Sequence, residues 1–208
     1  MIRNKFPQKK IKTITEYAYG YQKSLELSLQ KINIRQIEEI SRIILKKIKQ
    51  NKNIFFCGNG GSSSISNHFL CDFQKGLLVD AQLKSKFQSL SANNDLGLAI
   101  ANDLNFSELF KLQLQCLGNK GDLLIVFSVS GSSKNLIKAA DFAKKNKIDV
   151  ISFTGFYNPI LKKLSKINFD VYSDNYGVSE DMFHIIMHII SQYLRQKLFK
   201  GKFQNKKF

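Results

Sequence analysis

The side chains best suited to chemistry fall in two groups. All three histidines stand one helical turn from another polar ligand type. His68 and Asp72 are spaced i, i+4, and Glu180, His184 and His188 follow one another at the same interval. On helices that spacing puts side chains on one face. Imidazole nitrogens mixed with carboxylate oxygens are the donor set of zinc and similar divalent metals, or of an acid and base pair. The alternative for any one of these histidines is packing on an apolar helix face. Glu180 and His188 are separated by a rise of about 12 Å, and His184 and His188 by about 6 Å. Either could be the pair that shares an ion.

The second group is two small-residue loops, Gly58-Asn59-Gly60-Gly61-Ser62-Ser63-Ser64 and Ser128-Val129-Ser130-Gly131-Ser132-Ser133. Hydroxyls beside the free N–H groups of a helix start suit an anion, and a phosphate ester is the natural guest. The same serines could serve only as caps and turn formers. Neither loop has the Lys-Ser/Thr of a phosphate-binding loop or the glycine and acid spacing of a dinucleotide site, so a nucleotide is not the leading ligand.

The elements that must carry these loops follow from the apolar pattern. Helical periodicity runs through Ile14 to Leu29 and Ile34 to Ile48, predicting an opening hairpin of two helices. The runs Ile54 to Cys57, Leu123 to Phe127 and Val150 to Phe153 are short, continuous and apolar, as in buried parallel strands. Helices are expected at Ser64 to Gln74 and Leu136 to Lys145, with helical stretches between Asp95 and Leu117. Weaker strands are expected at Phe87 to Leu90 and Asn168 to Tyr172, and a long helix at Val178 to Leu198. Strands alternating with helices predict an α/β fold, a three-layer, doubly wound parallel sheet with an N-terminal helical hairpin. Ligands of such sheets sit beyond the carboxyl ends of the strands, where both loops and the turn at Thr154-Gly155 fall.

The chain carries +16 over 208 residues. Residues 1–11 read as a basic tail, 12–198 as a single domain and 199–208 as a second basic tail; counting Lys12 and Lys197 with the ends, they hold ten of the sixteen charges. The 28 lysines outnumber four arginines, whereas nucleic-acid readers favour arginine. A Lys-rich solvated surface with frayed ends is therefore expected, and nucleic acid is disfavoured as a partner. No apolar leader and no window near 20 apolar residues is present, which argues against a membrane span or secretion. Cys57, Cys71 and Cys116 match no zinc or disulfide spacing and are expected as inert core residues in a reducing, cytoplasmic setting.

The string FCGNGGSSSISNHFLCDFQKG, with AND at 101–103, GDLLIVFSVSGSSKNLIKA and FTG at 153–155, resembles the sugar isomerase (SIS) domain, and within it the phosphoheptose isomerase group. The resemblance covers residues 12–198. It implies a flavodoxin-like fold and an aldose-ketose isomerase acting on sedoheptulose 7-phosphate to give D-glycero-D-manno-heptose 7-phosphate for surface polysaccharide. It further implies substrate contacts from Asn59, Gly60, Gly61, Asn102, Asp103, Ser128, Val129, Ser130, Ser133 and Glu180. By the same resemblance His68, Asp72, Glu180 and His188 hold one zinc or other divalent ion per subunit, Asp72 is the base and His188 the acid, and the protein is a homotetramer with sites completed across subunits. Asp72 stands where that group has Glu, and Glu180 where it has Gln. These exchanges keep two other readings open: a non-catalytic SIS adaptor that binds a protein such as the replication initiator, and a sugar-phosphate sensor.

Overall fold

The computed structural model describes residues 3–156 and 158–201. Five parallel strands, β1 (Asn53–Gly58), β2 (Lys86–Ser89), β3 (Leu123–Ser128), β4 (Asp149–Thr154) and β5 (Ile167–Asp170), lie in the order β2-β1-β3-β4-β5. Alternate residues of each strand enter two separate cores. Ile54, Phe56, Leu123, Ile125, Phe127, Ile151 and Phe153 pack beneath α2 (Ile34–Lys49), α3 (Gly61–Ala81) and α8 (Tyr176–Leu198). Phe55, Cys57, Leu124, Val126 and Val150 face α5 (Leu109–Leu117), α6 (Lys134–Lys145) and the short α7 (Pro159–Leu164). Burial on both faces is why the strands read as unbroken apolar runs.

The opening hairpin is present as α1 (Ile14–Gln30) and α2. Thr13 caps α1 by accepting the Glu16 N–H, and Asn33 caps α2 by accepting that of Gln36. The two helices differ in burial. Helix α2 buries Ile37, Ile40, Ile44 and Ile48, while α1 buries only Ser24 and Ser28 and leaves Ile14, Tyr19, Leu27 and Leu29 exposed.

Three expectations are corrected. Helix α3 continues past Gln74 to Ala81, because Phe73 and Leu77 belong to the core shared with α8. Gly76 does not break it: a Cβ there would lie 2.7 Å from the Arg195 side chain, which crosses α3 to pair with the buried Asp80 at 2.6 Å. The N-terminal tail is not frayed from Arg3 to Phe6. Arg3 bonds Asp170 and Asp174, Asn4 bonds Ser24, and Phe6 meets the rings of Tyr17 and Tyr21. The C-terminal tail from Lys202 onward lies outside the described residues. Cys57 is buried, but Cys71 and Cys116 are exposed. Between Asp95 and Leu117 the helical stretch divides into α4 (Asn94–Asp103), a 3-10 turn at Phe106–Glu108, and α5.

Candidate active site

The strand order reverses between β1 and β3, so the helices that follow them leave on opposite faces and open a crevice at their carboxyl ends. Both small-residue loops line it. Gly60 takes φ +54°, a left-handed conformation suited to glycine, and turns the chain from β1 into α3. Gly131, at φ +65°, turns the second loop, where any Cβ would press on Asn158.

An open cavity of about 130 Å³ is lined by Asn59, Ser62, Ser128, Val129, Ser130, Ser133, Tyr176 and Glu180, over Phe127 and Leu136. That is roughly four water volumes, the scale of a hydrated tetrahedral oxyanion. The serines divide between the two expected roles. Ser128 accepts the Gly131 N–H at 3.1 Å and Ser130 that of Ser132 at 3.3 Å, so both shape the turn. Ser133 is the N-cap residue of α6 by position but makes no side-chain capping bond; its hydroxyl remains available to the cavity. The first N–H groups of α6 have no intrahelical partner, as at any helix start.

Glu180 closes the opposite wall. Its carboxylate accepts from Ser62 Oγ at 3.3 Å and rests where a side chain on Gly61 would have to go. The start of α3 is a favourable place for a carboxylate. Tyr21 of α1 bonds the adjoining Asp181 at 2.6 Å. Burial, then that bond, raises the Tyr21 phenol above its ordinary range. Gly60 opens instead onto a neighbouring cavity of about 460 Å³ shared with Asn59, Ser91, Leu98 and Phe106.

The imidazoles gather farther along α8, where α3 packs against it. His68 Nε2 and His188 Nε2 are 2.9 Å apart, and Asp72 Oδ2 is 3.6 Å from each. Side chains of these three are 45, 38 and 21% exposed respectively. A tetrahedral ion with bonds near 2.0–2.1 Å has donor-donor edges of about 3.3 Å, and the three edges here bracket that value. The donor set therefore fits a divalent ion, with three protein ligands and a position left open. Burial lowers the His188 pKa; His68 and His184 act in the same direction and Asp72 opposes them. The neutral imidazole is the form that binds a metal.

Glu180, expected among the metal ligands, stands apart from this cluster. Two turns of helix carry it to the phosphate-sized cavity. His184 is also outside: its Nδ1 lies 3.3 Å from the Glu180 carbonyl, and its ring stands 5.4 Å from that of His68. Asn102 and Asp103, at the end of α4, are exposed, bond one another at 2.8 Å and do not line the 130 Å³ cavity. Ser62, which does line it, lies within the first loop that the sequence marks, whereas Tyr176, which also lines it, carried no distinguishing sequence signal.

A profile of the SIS domain matches residues 17–155. The chain belongs to the SIS domain family. It is 32% identical over 187 residues to the phosphoheptose isomerase of Thermodesulfovibrio yellowstonii, spanning 87% of this chain and 90% of that one. With the enzyme of that name from Helicobacter pylori strain P12 it shares 31% over 171 residues, 82% of this chain and 88% of the relative. The solved phosphoheptose isomerase of Neisseria gonorrhoeae superposes with a TM-score of 0.81 at 23% identity, over 88% of this chain and all of the other. At that identity the superposition speaks for the fold, which this SIS-domain protein shares over 88% of its length.

Proposed function

We propose that this SIS-domain protein is a phosphoheptose isomerase, an intramolecular oxidoreductase interconverting sedoheptulose 7-phosphate and the aldose D-glycero-D-manno-heptose 7-phosphate, in the cytoplasm, on a route to surface polysaccharide. Relatives of that name at 30–32% identity support the substrate class. The observation that carries the reading is the placement of an oxyanion-sized cavity and an imidazole-carboxylate cluster on one helix, α8, two turns apart. A 7-phosphate seated among Ser128, Ser130, Ser133 and the start of α6 would fix the chain's register, leaving its carbonyl end beside His68, Asp72 and His188.

Asp72 takes the proton from C1 of the ketose, the electrons shift to an enediolate, the hydroxyl proton passes from O1 to O2, and a proton returns at C2. The resemblance gives His188 as the donor of that second proton, a role open to its Nε2 only without metal; with metal held there, the proton returns from Asp72. Zinc or another divalent ion, held by His68, Asp72 and His188, would supply charge to stabilise the enediolate oxygen when bound. Remote binding energy at the phosphate is well used in such a reaction, because it orders the reacting end without touching it. Asn59, Gly60 and Gly61 would contact the sugar from the first loop. Asn102 and Asp103 would reach the site of a neighbouring copy.

That last assignment goes with a homotetramer. Apolar side chains exposed on α1 (Ile14, Tyr19, Leu27), on α3 (Leu78, Val79) and on α8 (Ile189, Tyr193) support association. Light scattering on the purified protein tests it. Among the described residues no helix is long and apolar enough to cross a membrane.

The deciding experiment is turnover of sedoheptulose 7-phosphate followed by NMR, with metal analysis of the same sample. Turnover lost in Asp72→Asn, with metal retained, supports the base. A wild-type protein that binds metal and sugar phosphate yet never turns over would favour the non-catalytic adaptor or sensor, a reading motivated by Asp and Glu at positions 72 and 180.

A further inference from the structure

Two asparagines, Asn59 of the first loop and Asn135 in the first turn of α6, meet across the crevice. Asn59 Nδ2 donates to Asn135 Oδ1 at 2.9 Å, and Asn135 Nδ2 donates back to Asn59 Oδ1 at 2.8 Å. The two residues are 76 positions apart. Asn135 is 1% exposed, and its Oδ1 also accepts the Leu136 N–H at 2.9 Å, which ties the pair to the backbone of α6.

The position of this pair gives it work. Strands β1 and β3 are laddered only as far as Gly58 and Phe127. Beyond those residues the chains diverge to helices on opposite faces, and the ladder can no longer set their separation. The bonds of Ser128 and Ser130 stay within their own loop. Among the described residues the Asn59 and Asn135 bonds are the side-chain hydrogen bonds that join the first loop to the start of α6, directly after the serine loop. Asn59 borders both the 130 Å³ cavity and its 460 Å³ neighbour, so its side-chain angle sets the wall between them.

We infer that Asn135 is a positioning residue. Its amide clamps Asn59 and thereby holds the first glycine loop at a fixed distance from the serine loop, pre-forming the sugar-phosphate cradle. Asn135 itself is kept from the ligand by Asn59. A reciprocal amide pair suits this task because each member satisfies the other, and losing one leaves a buried donor and acceptor unmatched. The inference rests on the proposed ligand role of the two loops, and its test separates the two ideas.

Asn135→Asp is nearly isosteric, preserves packing and removes the return bond; Asn135→Ala removes both. Each is expected to raise the KM for sedoheptulose 7-phosphate roughly tenfold, about 1.4 kcal/mol, with a much smaller change in kcat and unchanged metal content. An isomerase whose kcat collapses while KM holds would overturn the inference. In an Asn59→Ala background, Asn135→Ala should add nothing further to KM, because the clamp acts through Asn59. Additive losses would show that Asn135 acts by another route. Amide exchange of residues 58–63, read in the ligand-free protein, should quicken roughly tenfold in Asn135→Asp; unchanged exchange there refutes the clamp. Should the wild type neither bind nor convert the sugar phosphate, the proposed function fails, and the exchange comparison still decides whether the two loops are clamped.

Discussion

Substrate length is the property on which the geometry makes its sharpest demand. Glu180 borders the oxyanion-sized cavity and His188 the metal-type cluster, and eight residues of helix separate them by about 12 Å. An extended ketose 7-phosphate, with six C–C bonds of about 1.5 Å and the ester link, reaches roughly 10 Å from C1 to phosphorus. Side chains at each end bridge the remainder. Removing one carbon, as in fructose 6-phosphate, shortens the reach by about 1.3 Å, since each zigzag bond of about 1.5 Å advances the chain by less than its length. A misplacement of about 1 Å at the reacting centre can cost 10²-fold, so kcat/KM for fructose 6-phosphate should fall by about two orders of magnitude, or about 2.7 kcal/mol. The phosphate grip is the same for both esters, so fructose 6-phosphate should still inhibit, with a Ki of the same order as the KM of the heptulose. Initial rates for the two ketoses by NMR, with inhibition in mixtures, check both halves. Comparable kcat/KM values would refute the claim that cavity and cluster hold the two ends of one substrate.

Three other outcomes follow from the packing and the charges. Ser133→Ala removes a hydroxyl that makes no capping bond, so KM should rise about tenfold, the value of one good hydrogen bond to a charged group, with no loss of thermal stability; a fall in Tm without a change in KM would make Ser133 a structural residue. Gly76→Ala, ordinarily worth up to about 1 kcal/mol of gain inside a helix, should instead destabilise by about 1–3 kcal/mol, because the new methyl displaces Arg195 from its place beside Asp80; thermal melts decide the sign. At the amino edge of the sheet, burial works to raise the Asp149 pKa, but Lys47 at 2.8 Å and Lys166 at 3.5 Å outweigh it and hold the group below its ordinary value. A lowered folded-state pKa contributes stability above the unfolded value near 3.9, and that contribution is lost as pH falls through the folded pKa. Urea titrations should show that acid limb in the wild type and a shallower one in Lys47→Met.

Periodicity found the elements whose environment is one-sided or wholly buried. Helix α2, with its isoleucine stripe, and the strands β1, β3 and β4 were all legible. It failed where a partner from elsewhere in the chain sets the rule. The helix expected to end at Gln74 runs on through Gly76, where Arg195 takes the space a side chain would fill, and helix α7, six residues long with one buried side chain, has too short a period to register. The same limit applies at the candidate site. His68, Asp72 and His188 could be named from spacing and resemblance and do meet, whereas Glu180 lies apart from them because the turn of α8 that carries it faces the start of α3. Asn135 gave no signal, since its partner Asn59 lies across the crevice.

The same geometry constrains how the second proton travels. The Nε2 of His188 is the atom turned to His68 and Asp72, and one nitrogen cannot hold a metal ion and carry a transferable proton together. Asp72 has a second oxygen: Oδ2 stands at the imidazoles, which leaves Oδ1 to receive the proton from C1 and hand it to C2 on the same face of the enediolate. With metal bound, a ketose deuterated at C1 should therefore yield aldose carrying part of the label at C2, the remainder exchanged with water while it resides on the partly exposed carboxylate. Two groups working from separate positions would give no internal transfer. Complete loss of label in the metal-loaded enzyme, across short reaction times, would refute the single-carboxylate path and return the second proton to an imidazole. His184, whose ring stands 5.4 Å from that of His68 and whose Nε2 is not engaged by its bond to the Glu180 carbonyl, would then be the imidazole to replace first.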